Sequence, residues 1–211
     1  DNNSLKPQAY LLLGTAYYNL NNNNEAITTF KQLINTYPNA PEAEDALDNL
    51  RTIYIEVGRP GDYAEAARQA GKPISVSAED SLTYAAAEVQ YNNGNMDAAL
   101  NAFNQYLQRF GGGTYSIDAN YFRGEIYNTR KDWPMALESY EAVAGRSPNK
   151  YAERAILQAA RINFFELKNY ANAKKYFVMS NVCRHIPRQY FYVYTSSGNL
   201  ITELIIELAR V

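Results

Sequence analysis

The chain has 211 residues, of which 46% are hydrophobic and 20% charged, with a net charge of −2. This is enough apolar residue for one core of ordinary size and too little positive charge for a protein whose main work is gripping nucleic-acid phosphates. No apolar run reaches the length that spans a bilayer, and a single cysteine, Cys183, excludes an internal disulfide.

In chain order, Tyr10, Leu13, Gly14 and Tyr17 share one helical face. The asparagines Asn21 to Asn24 interrupt the period, and Ala26, Ile27, Phe30 and Leu33 mark a second helix that ends before Pro38. Both segments recur at i, i+3, i+4, i+7, the spacing of amphipathic helices. A short turn between them makes an antiparallel hairpin, in which Gly14 and Ala26 are small because the helices cross closely there.

The second-helix signature returns along the chain. Its small residue falls at Ala26, Ala66, Ala99, Ala136 and Ala173, 33 to 40 residues apart, and four positions later come Phe30, Ala70, Phe103, Tyr140 and Phe177. Each alanine follows a turn-like or helix-starting string, among them "GRPGDYAE", "NNGNMDA" and "RKDWPM". Asp62 and Asp97 read as helix N-caps, and Pro134 suits a first helical turn. The second unit has a long first helix, a "GRPG" turn and a short second helix stopped at Gly71-Lys72-Pro73. Tyrosines outnumber phenylalanines 19 to 8, which suits thin layers where a buried ring keeps its hydroxyl near water.

The pattern Tyr10-x2-Leu13-Gly14-x2-Tyr17, Ala26-x3-Phe30, Pro38 resembles the tetratricopeptide repeat, with Tyr in the usual Trp place. Gly124-x2-Tyr127, Ala136-x3-Tyr140, Pro148 matches again, with Arg123 where Leu is usual. Looser copies carry Ala87, Glu88 and Tyr91, and Ala160, Arg161 and Phe164, at the corresponding places, so the resemblance covers roughly residues 5 to 180. It implies an all-α fold: a right-handed superhelical solenoid of about five helical hairpins over residues 1–180. The junctions "YPNAPEAEDAL", "FGGGTYSIDANY" and "SPNKYAERAIL" are similar to linkers of bacterial cell-envelope repeat proteins of the TolA-binding-protein and barrel-assembly-lipoprotein kind. That likeness implies a periplasmic or outer-membrane-associated setting. The sequence opens at Asp1 without a signal-type stretch and is read as a trimmed or processed product, so it does not itself fix the compartment.

After Ser180 the rhythm stops. Tyr190 to Tyr194 form an aromatic run, and Leu200, Leu204 and Leu208 are spaced as a closing helix. Residues 181–211 are expected to form a degenerate capping segment, with 188–197 and 199–211 as its hairpin, since the last repeat of a solenoid otherwise exposes its apolar flank. The other reading is an array interrupted here by truncation or a frame change.

No catalytic constellation emerges. Cys183 and His185 lie two residues apart with no third orienting group, and they are short of the ligands a metal needs. Gly111-Gly112-Gly113 lacks the Lys-Ser/Thr of a phosphate loop and reads as a helix end. No cofactor is expected.

The function expected of such a stack is protein interaction, with extended peptides or partner helices held in the concave groove lined by first helices. In register, the lining residues are Leu11, Thr15, Tyr18, Val89, Tyr121, Glu125, Ile162 and Phe165. At the matching positions Leu11 and Thr15 replace the carboxylate-clamping residues of the chaperone-binding branch, which implies an apolar or aromatic groove. The alternatives are an enzyme or regulatory module with its site in the groove or tail, and self-assembly into a weak homodimer rather than a monomer.

Overall fold

The computed structural model describes residues 5–182, and every regular element within them is a helix. The fold is all-α, built from helical hairpins. The chain divides into two compact units, residues 1–119 and 120–211. The expected cap at 181–211, with Cys183 and His185, lies outside the described residues apart from the last turn of the final helix.

The first unit contains α1 (Lys6–Asn19), α2 (Asn23–Thr36), α3 (Pro41–Glu56), α4 (Pro60–Gln69), α5 (Val76–Asn92), α6 (Met96–Phe110) and the start of α7 (Ser116–Thr129). These make the hairpins α1–α2, α3–α4 and α5–α6, and the first helices stack side by side, α1 on α3 and α3 on α5. This nearest-neighbour packing defines a solenoid. Helix α3 is covered on both flanks, which is why it buries Ala43, Ala46, Leu47, Leu50, Ile53 and Tyr54.

The second unit holds the rest of α7, then α8 (Trp133–Ala144), α9 (Ala152–Arg161), a π-helical turn (Ile162–Glu166) and α10 (Tyr170–Val182). Here α8 packs on α9 and α9 on α10.

The small residues sit where the sequence reading puts them. Ala26, Ala99 and Ala136 are fully buried. Gly14 faces the ring of Phe30: a Cβ added there would stand 2.5–2.9 Å from three ring carbons. Gly124 meets the ring of Tyr140 in the same way, at 2.8–3.0 Å. The contact that needs a glycine is therefore with the aromatic four positions after the alanine. In the last hairpin this anchor shifts: Ala173 is buried, but Tyr176 is buried and Phe177 only half so.

The turns repeat as well. Asn21, Gly58, Gly94, Lys131 and Lys168 each stand two residues past the end of a first helix, all with φ between 53° and 77°. After the first four, the next N–H reaches back to the helix: Asn22 to the Tyr17 carbonyl, Arg59 to Tyr54, Asn95 to Gln90 and Asp132 to Tyr127. This is the Schellman closure around a left-handed residue. That same next residue is the N-cap of the following helix, so the expected capping roles of Asp62 and Asp97 are corrected. Both lie inside the first turn, behind the caps Arg59 and Asn95, and Asp62 pairs with Arg59. Pro134 does stand in the first turn of α8, behind the cap Asp132. Lysine at a left-handed position carries a steric cost that glycine avoids. Lys131→Gly is thus expected to raise stability by about 0.5 kcal/mol, the part of that cost left after glycine's extra unfolded-state entropy. Chemical denaturation checks it.

The tyrosine bias has a structural cause beyond hydroxyls left at water. In the first unit Tyr18 donates to Glu56 at 2.8 Å, Tyr84 to Glu88 at 3.0 Å and Tyr106 to Asp80 at 2.6 Å. In the second, Tyr140 donates to Glu125 at 2.5 Å, and Tyr176 donates to Glu141. Burial, and then the bond to a carboxylate, push the Tyr106 and Tyr176 hydroxyls well above the usual phenol range. Asp80 also accepts the Thr114 N–H at 2.9 Å, tying the loop after α6 to α5. Gly113 is packed against that carboxylate, where a Cβ would lie 2.8 Å from its oxygen. The triple glycine thus ends α6 and turns the chain, as its composition implies.

Arg123, in the place where leucine is usual, is accommodated by polar partners. Its Nε donates to the Ser139 hydroxyl at 2.9 Å, and its terminal nitrogen reaches Asn120 and Glu138, each at 3.1 Å.

Candidate functional site

Helix α9 does not run on as an α-helix. Asn163 is buried, and its side-chain amide donates at 2.9 Å to the Ala159 carbonyl, the acceptor its own N–H would take in an unbroken α-helix. The ladder widens by one residue, so that Leu167 N–H reaches back to the Ile162 carbonyl. A π-turn of this kind is uncommon and often accompanies function. Phe164 is buried on the inner side, with its ring 5.0 Å from Phe165 and 5.1 Å from Tyr170.

On the other side, Gln158, Arg161, Ile162, Phe165 and Glu166 follow one another at helical spacing on a single face. They form one wall of an open hollow of about 360 Å³. The opposite wall is Asn128, from the last turn of α7, and Trp133, the first residue of α8. Trp133 is placed by its neighbours in sequence: it follows the left-handed Lys131 and the cap Asp132, whose carboxylate accepts the Met135 N–H. The hollow has an apolar floor of Trp133, Ile162 and Phe165, and a rim of Asn128, Gln158, Arg161 and Glu166. Trp133 and Phe165 are half-buried, and both line the hollow.

Two of the eight residues expected to line a groove meet in the hollow, and the other six lie elsewhere. Ile162 and Phe165 come together in the hollow. Tyr121 is 9% exposed, with its ring stacked on Tyr151 at 4.2 Å. Glu125 is the acceptor for Tyr140. On α1, Leu11 and Tyr18 pack against the core of the first unit, and the Thr15 hydroxyl donates to the Leu11 carbonyl at 2.8 Å. Val89, on α5, is half-buried. Sequence reasoning missed Trp133, Gln158, Arg161 and Glu166. The spacing of 158, 161, 162 and 165 was there to be read, and so was Trp133, the single tryptophan.

Among the described residues, no group of three His, Cys, Asp or Glu side chains could hold a metal, and no helix is long and apolar enough to cross a membrane. The hollow can seat an apolar side chain on its rings and offer hydrogen bonds to the backbone on either side of it.

Residues 8–40 and 84–151 match two family models, each described as tetratricopeptide repeat. These two segments are tetratricopeptide-like. The first match spans the α1–α2 hairpin, and the second runs from within α5 to the start of α9. The α3–α4 hairpin, with its shortened second helix, falls between them. No curated protein matches the chain. Among solved structures, the repeats are similar to a crystal structure of MamA, at 20% identity over 81% of this chain and 93% of that one, with a TM-score of 0.45. They are also similar to PilF of Pseudomonas aeruginosa, at 12% identity over 97% of each chain and a TM-score of 0.45. A third is a putative kinesin light chain with tetratricopeptide-like repeats from Podospora anserina, at 13% identity over 87% of this chain and 99% of that one, with a TM-score of 0.40.

Proposed function

We propose that this protein is a non-catalytic interaction scaffold that binds a protein partner, as tetratricopeptide repeat proteins generally do, through the hollow between α7–α8 and α9. The partner offers an extended peptide or a helix face. One of its apolar side chains enters between Trp133 and Phe165 over Ile162, and Asn128, Gln158, Arg161 and Glu166 meet the polar groups beside it. The observation that carries this reading is the π-turn, a departure from regular helix at the wall where open aromatic rings and a polar rim converge. The junction strings support a bacterial cell-envelope complex, periplasmic or outer-membrane-associated, as the setting.

Trp133 is the single tryptophan, so its fluorescence reports on the hollow directly. Peptides selected from a displayed library for binding to the intact protein are expected to carry an apolar or aromatic anchor. Titrating them is expected to shift or quench the emission. Selected peptides that bind tightly and leave the emission unchanged place the working surface elsewhere.

A further inference from the structure

Helix α1 is apolar on the side away from the core as well as on the side towards it. Pro7 and Gly14 are buried, and Leu11 and Tyr18 pack inward. On the opposite face, Leu5, Ala9, Leu12, Leu13, Ala16 and Leu20 follow one another within about 100° of the helical wheel, so Leu13 stands apart from the buried Gly14 and not on the face the two were expected to share. Leu5, Leu12, Leu13 and Leu20 are 60%, 70%, 46% and 69% exposed, and both alanines are exposed too. They account for half of the large exposed hydrophobic residues among the described residues. A contiguous apolar face of this kind marks an interaction surface.

The order of residues says which partner fits. Read in either direction about the midpoint between Leu12 and Leu13, the face is the same: leucine at 5 and 20, alanine at 9 and 16, leucine at 12 and 13. An antiparallel copy of the helix, related by a two-fold axis through that midpoint, sets Leu5 against Leu20, Ala9 against Ala16 and Leu12 against Leu13. The alanine layers let the helices approach, and the leucine layers fill the space between them. Lys6 is the single charge on α1, and in this register it faces Asn19 of the second copy, so no like charges meet. Self-complementarity under a two-fold axis is what an isologous interface requires.

We infer that the outer face of α1 is a homodimer interface, formed with α1 of a second copy in antiparallel register. One helix per subunit is a small interface, so the dimer is expected to dissociate on dilution.

Sedimentation of the intact chain over a range of concentrations is expected to show a reversible monomer–dimer equilibrium. Leu12→Glu is expected to abolish it with the helix content unchanged, since Leu12 is 70% exposed in the single chain. In a Cys183→Ala background, Leu12→Cys should cross-link to itself on oxidation, because it lies beside the axis. Leu5→Cys should not, since the two copies of that position are about 22 Å apart along the helices. A chain that stays monomeric at every concentration overturns the inference. So does a dimer that survives Leu12→Glu, self-cross-linking of Leu5→Cys, which indicates parallel helices, or a monomer in which the thiol at position 12 is shielded from reagent, which indicates another segment of the same chain on this face.

Discussion

A leucine at Gly124 or at Gly14 lowers the stability of the protein by about 2 kcal/mol or more. At both sites a single added carbon already falls within 3.0 Å of the ring of a fully buried aromatic, Tyr140 or Phe30, and leucine brings three carbons beyond that. Neither ring can step aside into solvent. Leucine is the better helix former by up to about 1 kcal/mol, which offsets part of the overpacking and makes a net loss the more telling. Gly61 is the control: it lies in the first turn of α4 with open space around it, so Gly61→Ala should be neutral or slightly stabilising. Thermal or denaturant midpoints of the three variants decide the matter. Midpoints for the Gly124 and Gly14 variants that equal the parent's contradict the ring-on-glycine packing.

Those glycines were legible because the constraint is local and repeated. A helix crossing that seats a ring needs a small residue at a fixed spacing, and glycine and ring recur together in two hairpins, Gly14 with Phe30 and Gly124 with Tyr140. The left-handed turn position was half legible. Gly58 and Gly94 announce it, whereas Lys131 and Lys168 have no intrinsic preference for it and take it because the neighbouring hairpin geometry requires it. Asp62 and Asp97 were misread as caps because the Schellman turn starts the next helix earlier than side-chain preference indicates. The hollow was the least legible. Its wall depends on Asn163 turning its amide back onto Ala159, and a mid-helix asparagine looks in sequence like ordinary surface. Its other wall, Trp133, comes from a different helix, so only the fold brings it opposite Phe165. Tyr121 was placed in the groove by register alone, and register does not reveal that its ring stacks on Tyr151.

Removing the indole of Trp133 is expected to weaken partner binding by about 2 kcal/mol, roughly thirtyfold, because aromatic anchors in a desolvated pocket dominate binding energy. Phe165→Ala should approach the same loss. Both rings are half-buried before the partner arrives, so truncation removes contact area in the complex while the fully buried core residues of the second unit, among them Ala136, Tyr140 and Ile156, are left unchanged. Tyr121→Ala is expected to act differently. It strips the stacked partner from Tyr151, so its effect should fall on stability more than on affinity.

The most direct measurement is calorimetric titration of one selected peptide against the parent protein and against Trp133→Ala, Phe165→Ala and Gln105→Ala, each with its helix content verified. Gln105 is an exposed residue of α6, far in sequence from the hollow, and serves as the neutral site. Affinity reduced at least tenfold by both aromatic substitutions and unchanged by Gln105→Ala is the predicted result. Parent-like affinity in both aromatic variants contradicts the assignment of the hollow as the binding site.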